Sequence, residues 1–574
     1  MRLINVEALL ERERLIRQGK RVDRRARVLE FLDDEVTEYA ILSHRWTVEE
    51  VGYEEIVELA KMDMENIDEI RQRDGYQKIL CTCEQAKKDR YEWLWVDTCC
   101  IDKRSSAELS EAIRSMYRWY ENAKICYAYL HDVPGPSFPI APNAERYPQF
   151  NGWPEWFSRG WTLQHMIAPR NVLFFNKQWQ AIGDKRTLAP TLERITGVPE
   201  DILTDGLSGN RPCVAQIMSW AANRTTTRVE DRAYSLMGLL GVNIPMSYGE
   251  GKEAFHRLQL EIIRTSNDQS IFAWSWNEEV RTGNILADDP SVFRRCSQME
   301  LMNPDEFIKS LREQIPEELD WIGKDRLGTF LITNRGIQIW MFLCPIRGSD
   351  SVFRVWLPCR PDPWSRPVTI NLCEGESNYY RYTRLDLGSG TLQFREVYLS
   401  YQTWDCNATF TVDDNAVTKN GFTYQRAYPV TSNMFTLTDT NPLCVKVYSN
   451  DETGDCFAVG FGQFLGKGWI HVESGTWDFL WEECNMLARA PEYARSMDKT
   501  RSEARVCIMQ TRLHQLTLRT CVVWEGSNMN EVQLEVFRDP SFDYVSGEWR
   551  ILDVDVSGIF SHYFRISIDI TILR

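Results

Sequence analysis

The chain has 574 residues, several times the length of one ordinary core, so roughly three to four domains are expected. A composition of 43% hydrophobic, 12% aromatic and 26% charged residues is that of a folded protein and excludes the disordered class. With 66 basic against 82 acidic residues the net charge is −16, which disfavours a global electrostatic grip on nucleic acid or anionic lipid.

The amino-terminal MRLINVEALLERERLIRQGK is too charged for a secretory signal, and no window approaches about 18 continuous apolar residues. An intracellular, cytoplasmic protein that uses neither membrane nor nucleic acid is expected. Residues 1–38 read as a leader, with the basic stretch Arg12 to Arg27 forming a solvated helix face. The 16 cysteines lack paired C-x-x-C spacing, so they read as reduced packing residues and no metal site is expected.

From residue 39 strand and helix signals alternate. YAILSH (39–44) is a short apolar strand, and Tyr76, Ile79, Leu80, Cys83 and Ala86 recur at helical spacing. WLWVDT (93–98) reads as a buried strand. Ser105 and Glu108 form a capping box ahead of the helical stripe Leu109, Ile113, Met116, Tyr117 and Tyr120. ICYAYL (125–130) and NVLFF (171–175) are further strands, with the short helix WTLQHMI (161–167) between them. This alternation predicts an α/β domain over 39–184, a parallel sheet with helices on both faces.

Residues 185–280 turn helical, in LAPTLERIT, VAQIMSWAAN, VEDRAYSLMGLLG and EGKEAFHRLQLEIIRTS, with Ala233, Leu236, Met237 and Leu240 as a core stripe. From 325 to 574 short β-branched and aromatic runs dominate, among them FLITNRGIQIWMF, VFRVWLP, CVKVYS, CFAVGFG, LTLRTCVVWE and FRISIDITI. Turn residues separate them, which predicts an all-β sandwich or barrel-like region.

Three segments gather chemistry-bearing residues: Ser43-His44-Arg45-Trp46, Asp97-Thr98-Cys99-Cys100-Ile101-Asp102-Lys103, and Ser158 to His165. In an open parallel sheet ligands bind beyond the carboxyl ends of the strands, where the first two segments fall. A cleft lined by all three is expected; from composition alone Trp46, Trp161 and Asp97 read as packing and capping residues. Ser43, His44 and Asp97 imitate a hydrolase triad, but adjacent strand residues face opposite ways. Cys99 or Cys100 with His165 suits a nucleophile and base, or with His44 a metal site, yet buried thiols more often simply pack. Gly460 to Gly468 imitates a phosphate loop without its Ser or Thr and reads as a strand-to-strand turn. Gly249-Glu250-Gly251-Lys252 reads as the start of a helix.

The blocks YAILSHRW, WVDTCCIDKRSSAELSEAIRSMYRWY and RGWTLQ resemble the signature of the fungal heterokaryon incompatibility (HET) domain, and VEDRAYSLMGLLG through IFAW resembles the segment that commonly follows it. The resemblance implies recognition of genetically different hyphae ending in programmed cell death, through protein partners or self-association. It also implies likeness to the flavodoxin-like Toll/interleukin-1 receptor (TIR) fold, some of whose members hydrolyse NAD. NAD would then be the substrate, held by Ser43, Arg45, Trp46, Asp97, Asp102, Arg159 and Trp161. The acid that ends the family's third block is replaced by His165. An imidazole cannot supply negative charge to an oxocarbenium ion, so the candidate catalytic residues are His165 itself and Asp97 as substitute carboxylate. The competing implication is a catalytically silent scaffold.

Overall fold

The computed structural model describes residues 1–20, 27–59, 69–148, 150–207, 211–275, 283–312 and, with interruptions, 326–553. The chain divides into two compact units. One comprises Met1–Trp274, Leu286–Met302 and Cys359–Arg366; the other comprises Ser275–Ile285, Asn303–Pro358 and Pro367–Arg574.

The first unit is built on a seven-stranded sheet with order β2-β1-β4-β3-β5-β6-β7. Its strands are β1 (Arg2–Asn5), β2 (Leu29–Phe31), β3 (Tyr39–His44), β4 (Trp93–Trp95), β5 (Ile125–Tyr129), β6 (Val172–Phe175) and β7 (Ala181–Asp184). The central four, β4-β3-β5-β6, run parallel, and β1, β2 and β7 add antiparallel edges. Every residue of β3 is buried, as a strand covered on both faces requires. The segment expected as a leader therefore supplies two strands of the sheet, and between them α1 (Val6–Arg17), whose buried residues include Arg12 and Glu13. Glu13 is paired both within its own helix, with Arg17 at 2.8 Å, and from outside it, with Arg71 at 2.6 Å, and this second partner has no sign in the local charge pattern.

Pleating directs alternate β3 side chains to different helices. On one face stand α4 (Ser106–Asn122) and α5 (Thr162–Ile167): the Tyr39 hydroxyl donates to the Trp119 carbonyl at 2.6 Å, and Ser43 meets His165. On the other stands α3 (Asp74–Lys88), preceded by α2 (Tyr53–Leu59). Gly75 opens α3 where a Cβ would come within 2.8 Å of the Glu50 Cα and strike the Glu49 carbonyl. Only glycine lets the helix start lie on that loop, and three residues later Lys78 sits beside Glu50.

The capping box at Ser105 is half formed. The Ser105 hydroxyl accepts from the Glu108 amide at 3.3 Å, but the Glu108 carboxylate accepts from the Asp102 amide at 2.8 Å and from Arg2 at 2.6 Å. A buried guanidinium from β1 offers a charged partner, and the carboxylate follows it.

The helical extension, α6 (Ala189–Thr196), α7 (Glu200–Asp205), α8 (Val214–Ala221), α9 (Asp231–Tyr234), α10 (Met237–Leu240) and α11 (Glu253–Thr265), belongs to the same compact unit. Gly238 in α10 lies against the Tyr117 side chain of α4 with no room for a Cβ. Gly249 and Gly251 donate their amides to Glu230 at 2.7 and 3.1 Å just ahead of α11, in keeping with a helix start.

The second unit is β-rich. Strand Gly336–Pro345 pairs with both Gln393–Leu399 and Val352–Trp356, and the latter continues through Thr369–Glu374 and Tyr379–Tyr382 back to Gln393–Leu399, so this sheet closes on itself. A four-stranded and a further six-stranded sheet follow. Of the glycines that imitate a phosphate loop, Gly460, Gly462 and Gly468 lie in the antiparallel strands Asp455–Phe464 and Lys467–Ser474, and Gly466 lies outside the described residues. Gly460 and Gly462 leave room for Met486 and Trp469, so packing rather than phosphate explains them. The run 564–572 lies outside the described residues.

Candidate functional site

Beyond the carboxyl ends of β3 and β4 the chain gathers charge. The His44 imidazole is enclosed, with Nε2 3.3 Å from Asp97 Oδ1 and 4.0 Å from Glu50 Oε2. Trp46 Nε1 donates to Asp97 Oδ2 at 2.7 Å, and Lys103 lies 3.7 Å over the Trp46 ring, a cation–π contact. Lys78 Nζ donates to Glu50 Oε1 at 2.5 Å. Each carboxylate thus has one oxygen fixed by the scaffold and one turned toward His44. Those two oxygens, and both imidazole nitrogens, are buried without a hydrogen bond. Burial holds His44 well below the usual imidazole range, with Lys78 and Lys103 adding to the effect, so the ring is neutral at pH 7. Burial also raises the Asp97 carboxyl, against the opposing influence of Lys103 and the Trp46 N–H.

A second cluster adjoins the first. Arg45 pairs with Glu155 at 2.6 Å, and His131 Nε2 lies 3.8 Å from the same carboxylate. Burial, and then the nearby Arg45, lower the Arg159 guanidinium, which donates to the Thr227 hydroxyl at 3.0 Å. Arg45 follows His44 in the chain, and Lys78 acts electrostatically on both His44 and His131, so the two clusters lie near one another.

Ser43 and His165 form a third, interior group. The Ser43 hydroxyl is 3.0 Å from His165 Nδ1 and accepts from Trp156 Nε1 at 3.0 Å. The imidazole is stacked on Tyr120 at 3.9 Å between centroids, and burial with Arg224 lowers it to about 3. It is a neutral core residue at any physiological pH. Its short helix is anchored at both ends. Lys185 donates to the carbonyls of Met166, Ile167 and Pro169, and Arg224 donates to Thr162 Oγ1 at 3.1 Å.

The structure therefore brings Trp46 and Asp97 together, joins Arg45 and Arg159 to their rim, and turns Ser43 inward. Asp102 is held by the Arg104 guanidinium at 2.8 Å, and Trp161 bonds Asp231. Sequence reasoning placed His44 in a segment lining the cleft without giving it a binding role, and it missed Glu50, Lys78, His131 and Glu155 as parts of the rim. Nothing local marks Lys78 or Glu50. Cys99 and Cys100 are buried; the hydrogen bond to Cys100 and burial push the Cys99 thiol up, away from nucleophilic thiolate. Among the described residues no group of three or more His, Cys, Asp or Glu could hold a metal ion, and no helix is long and apolar enough to cross a membrane.

Part of this rim falls within a span that is similar to known proteins. Residues 39–150 match the family model described as Heterokaryon incompatibility protein (HET). Over that span the chain is similar to the HET domain. The matched span includes β3, β4, β5 and the rim residues His44, Glu50, Lys78 and Asp97, and it ends before Arg159 and His165. Residues 253–345 match a model described as Domain of unknown function (DUF8212). The chain is also similar to Vegetative incompatibility protein HET-E-1 of Podospora anserina, 42% identical over 231 residues, which is 39% of this chain and 16% of that protein. The match thus spans about a sixth of the relative's length.

Proposed function

We propose that the protein acts in heterokaryon incompatibility, with the HET domain as the effector of programmed cell death and its rim as an NAD-hydrolysing cleft. The similarity to HET-E-1 supports the biological half of this reading. The chemical half is supported by the order of the parallel strands. Numbered among themselves they run 2-1-3-4, the beginning of the flavodoxin-like order expected of a TIR-like fold, and such sheets take ligands where the order reverses. Here that point lies beyond β3 and β5, beside His44, Arg45 and Trp46.

The observation that carries the proposal is the Asp97 carboxylate, whose buried Oδ1 has no hydrogen bond, beside the half-exposed Trp46 ring. Cleaving the bond between ribose and nicotinamide develops positive charge on the sugar while the bonding pair leaves with nicotinamide, and water then bonds to the anomeric carbon. A fixed carboxylate in a poorly hydrated setting stabilises that charge far more than it would in water. Lys78, Lys103 and the Trp46 N–H favour the ionised form of Asp97. Arg159 and Arg45 suit the pyrophosphate and Trp46 the nicotinamide ring.

Purified protein incubated with NAD should release nicotinamide, and Asp97→Asn should lower release by about a hundredfold or more while His165→Asn retains it. Absence of release, both free and under forced oligomerisation, would instead favour the silent scaffold, for which the neutral interior imidazole at position 165 is the supporting observation.

A further inference from the structure

A buried imidazole and two half-buried carboxylates converge without satisfying one another. His44 exposes none of its side chain, Asp97 17% and Glu50 13%, yet Asp97 Oδ1, Glu50 Oε2 and both His44 nitrogens lack hydrogen bonds. Leaving such atoms dry is costly, the more so for charged groups, so an arrangement of this kind calls for an occupant. The vacant atoms define it. Two carboxylate oxygens only accept, so the occupant must donate twice, in two directions. Neutral His44 keeps one N–H, and with Nε2 protonated it faces both carboxylates and can donate to an oxygen placed between them.

Charge narrows the choice further. Lys78 neutralises Glu50 and Lys103 acts on Asp97, so the cluster has no surplus negative charge to attract a cation. Two facing carboxylate oxygens repel phosphate. What remains is a neutral group with two adjacent hydroxyls, each donating to one carboxylate and one accepting from the imidazole.

We propose that His44, Asp97 and Glu50 form a subsite for the vicinal diol of a ribose. Acidic side chains satisfy ribose hydroxyls in the same manner in dinucleotide-binding sheets, at this edge of the fold. The proposal rests on the NAD reading for which ribose is bound, the one bearing nicotinamide, but the diol chemistry stands apart from cleavage. Glu50 is then a specificity-determining residue, held in place by Lys78 and the close approach at Gly75, and Trp46 forms the outer wall through its bond to Asp97.

Calorimetric titration of the full chain with nicotinamide riboside and with its 2′-deoxy counterpart tests this without altering the protein. The riboside should bind about tenfold to a hundredfold tighter, as expected for losing a hydroxyl bonded to a charged group. Glu50→Gln, checked for folding by thermal melting, should remove most of that preference. Uridine and 2′-deoxyuridine serve as nucleosides unrelated to NAD. If the two nicotinamide ribosides bind equally while NAD is still hydrolysed, the diol subsite is overturned and the NAD reading survives. If uridine shows the 2′-hydroxyl preference but no nicotinamide compound binds, the subsite stands and the NAD reading falls. If no nucleoside binds, the vacant atoms hold a structural water only, and the proposal is overturned.

Discussion

Ser43 and His44 are consecutive residues of one strand, and their surroundings differ in the one respect that separates packing from chemistry. Ser43 is completed from within: it receives a hydrogen bond from Trp156 and shares another with His165, whose ring is stacked on Tyr120 and leaves a single buried nitrogen, Nε2, without a hydrogen bond. His44 touches two carboxylates yet bonds to neither, and both carboxylates keep a free oxygen. Satisfied polar groups rigidify a core, whereas convergent unsatisfied ones mark a place prepared for something else. The comparison moves attention from position 165, where the family resemblance implies an acid, to the opposite face of the same strand.

The largest expected effect breaks the comparison outright. Asp97→Asn should lower nicotinamide release by about a hundredfold or more, the scale of losing one preorganised electrostatic group, while Ser43→Ala should leave it within a few-fold. Equal losses in the two variants would mean that the faces are not distinct in function.

Packing offers the next test. Gly238→Ala pushes a methyl group into the Tyr117 side chain, an overpacking that should cost about 1–3 kcal/mol, lowering the denaturant midpoint with little change in slope. Gly75→Ala meets backbone at Glu49 and Glu50 rather than a side chain that can turn aside, so it should also displace Glu50 and weaken binding of nicotinamide riboside. A Gly75→Ala protein with unchanged affinity would sever the link between that helix contact and the rim.

The interior face has its own signature in pH. His165 is held at about 3 when folded and returns to about 6.5 when unfolded, so below pH 6.5 the unfolded chain binds the extra proton. Stability from this residue is complete above pH 6.5 and declines as pH falls toward 3, by up to about 1.4 kcal/mol per pH unit. His44, also lowered, adds a contribution of the same sign, while the raised Asp97 carboxyl opposes it just above its ordinary range. Urea titrations at pH 7 and 5 should therefore show a shallower decline for His165→Phe than for the natural protein. An unchanged slope would mean that His165 is not neutral in the core.

These contrasts also explain what the sequence could convey. The strands 39–44, 125–129 and 172–175 and the helix 74–88 were legible because apolar spacing reports burial directly. Strands β1 and β2 were not, since a four-residue and a three-residue strand beside a charged helix lack any period long enough to read. Asp97 and Trp46 were legible through their block, but Glu50 became part of the site only through tertiary approach, and His165 entered through resemblance although its own surroundings are those of a core residue.

The smallest expected effect sharpens the comparison on the rim itself. Trp46→Phe keeps an aromatic ring for stacking but removes the N–H that bonds Asp97 Oδ2 at 2.7 Å. That hydrogen bond favours the carboxylate, so its loss raises the Asp97 carboxyl further. The ionised form should then disappear at a higher pH, and the acid limb of nicotinamide release should move upward while the rate near pH 8 falls only a few-fold. A limb that stays in place in Trp46→Phe would separate the group controlling activity from Asp97. If the limb moves with Trp46→Phe and is absent from the residual activity of Asp97→Asn, the indole and the carboxylate act as one device on the face that His44 shares.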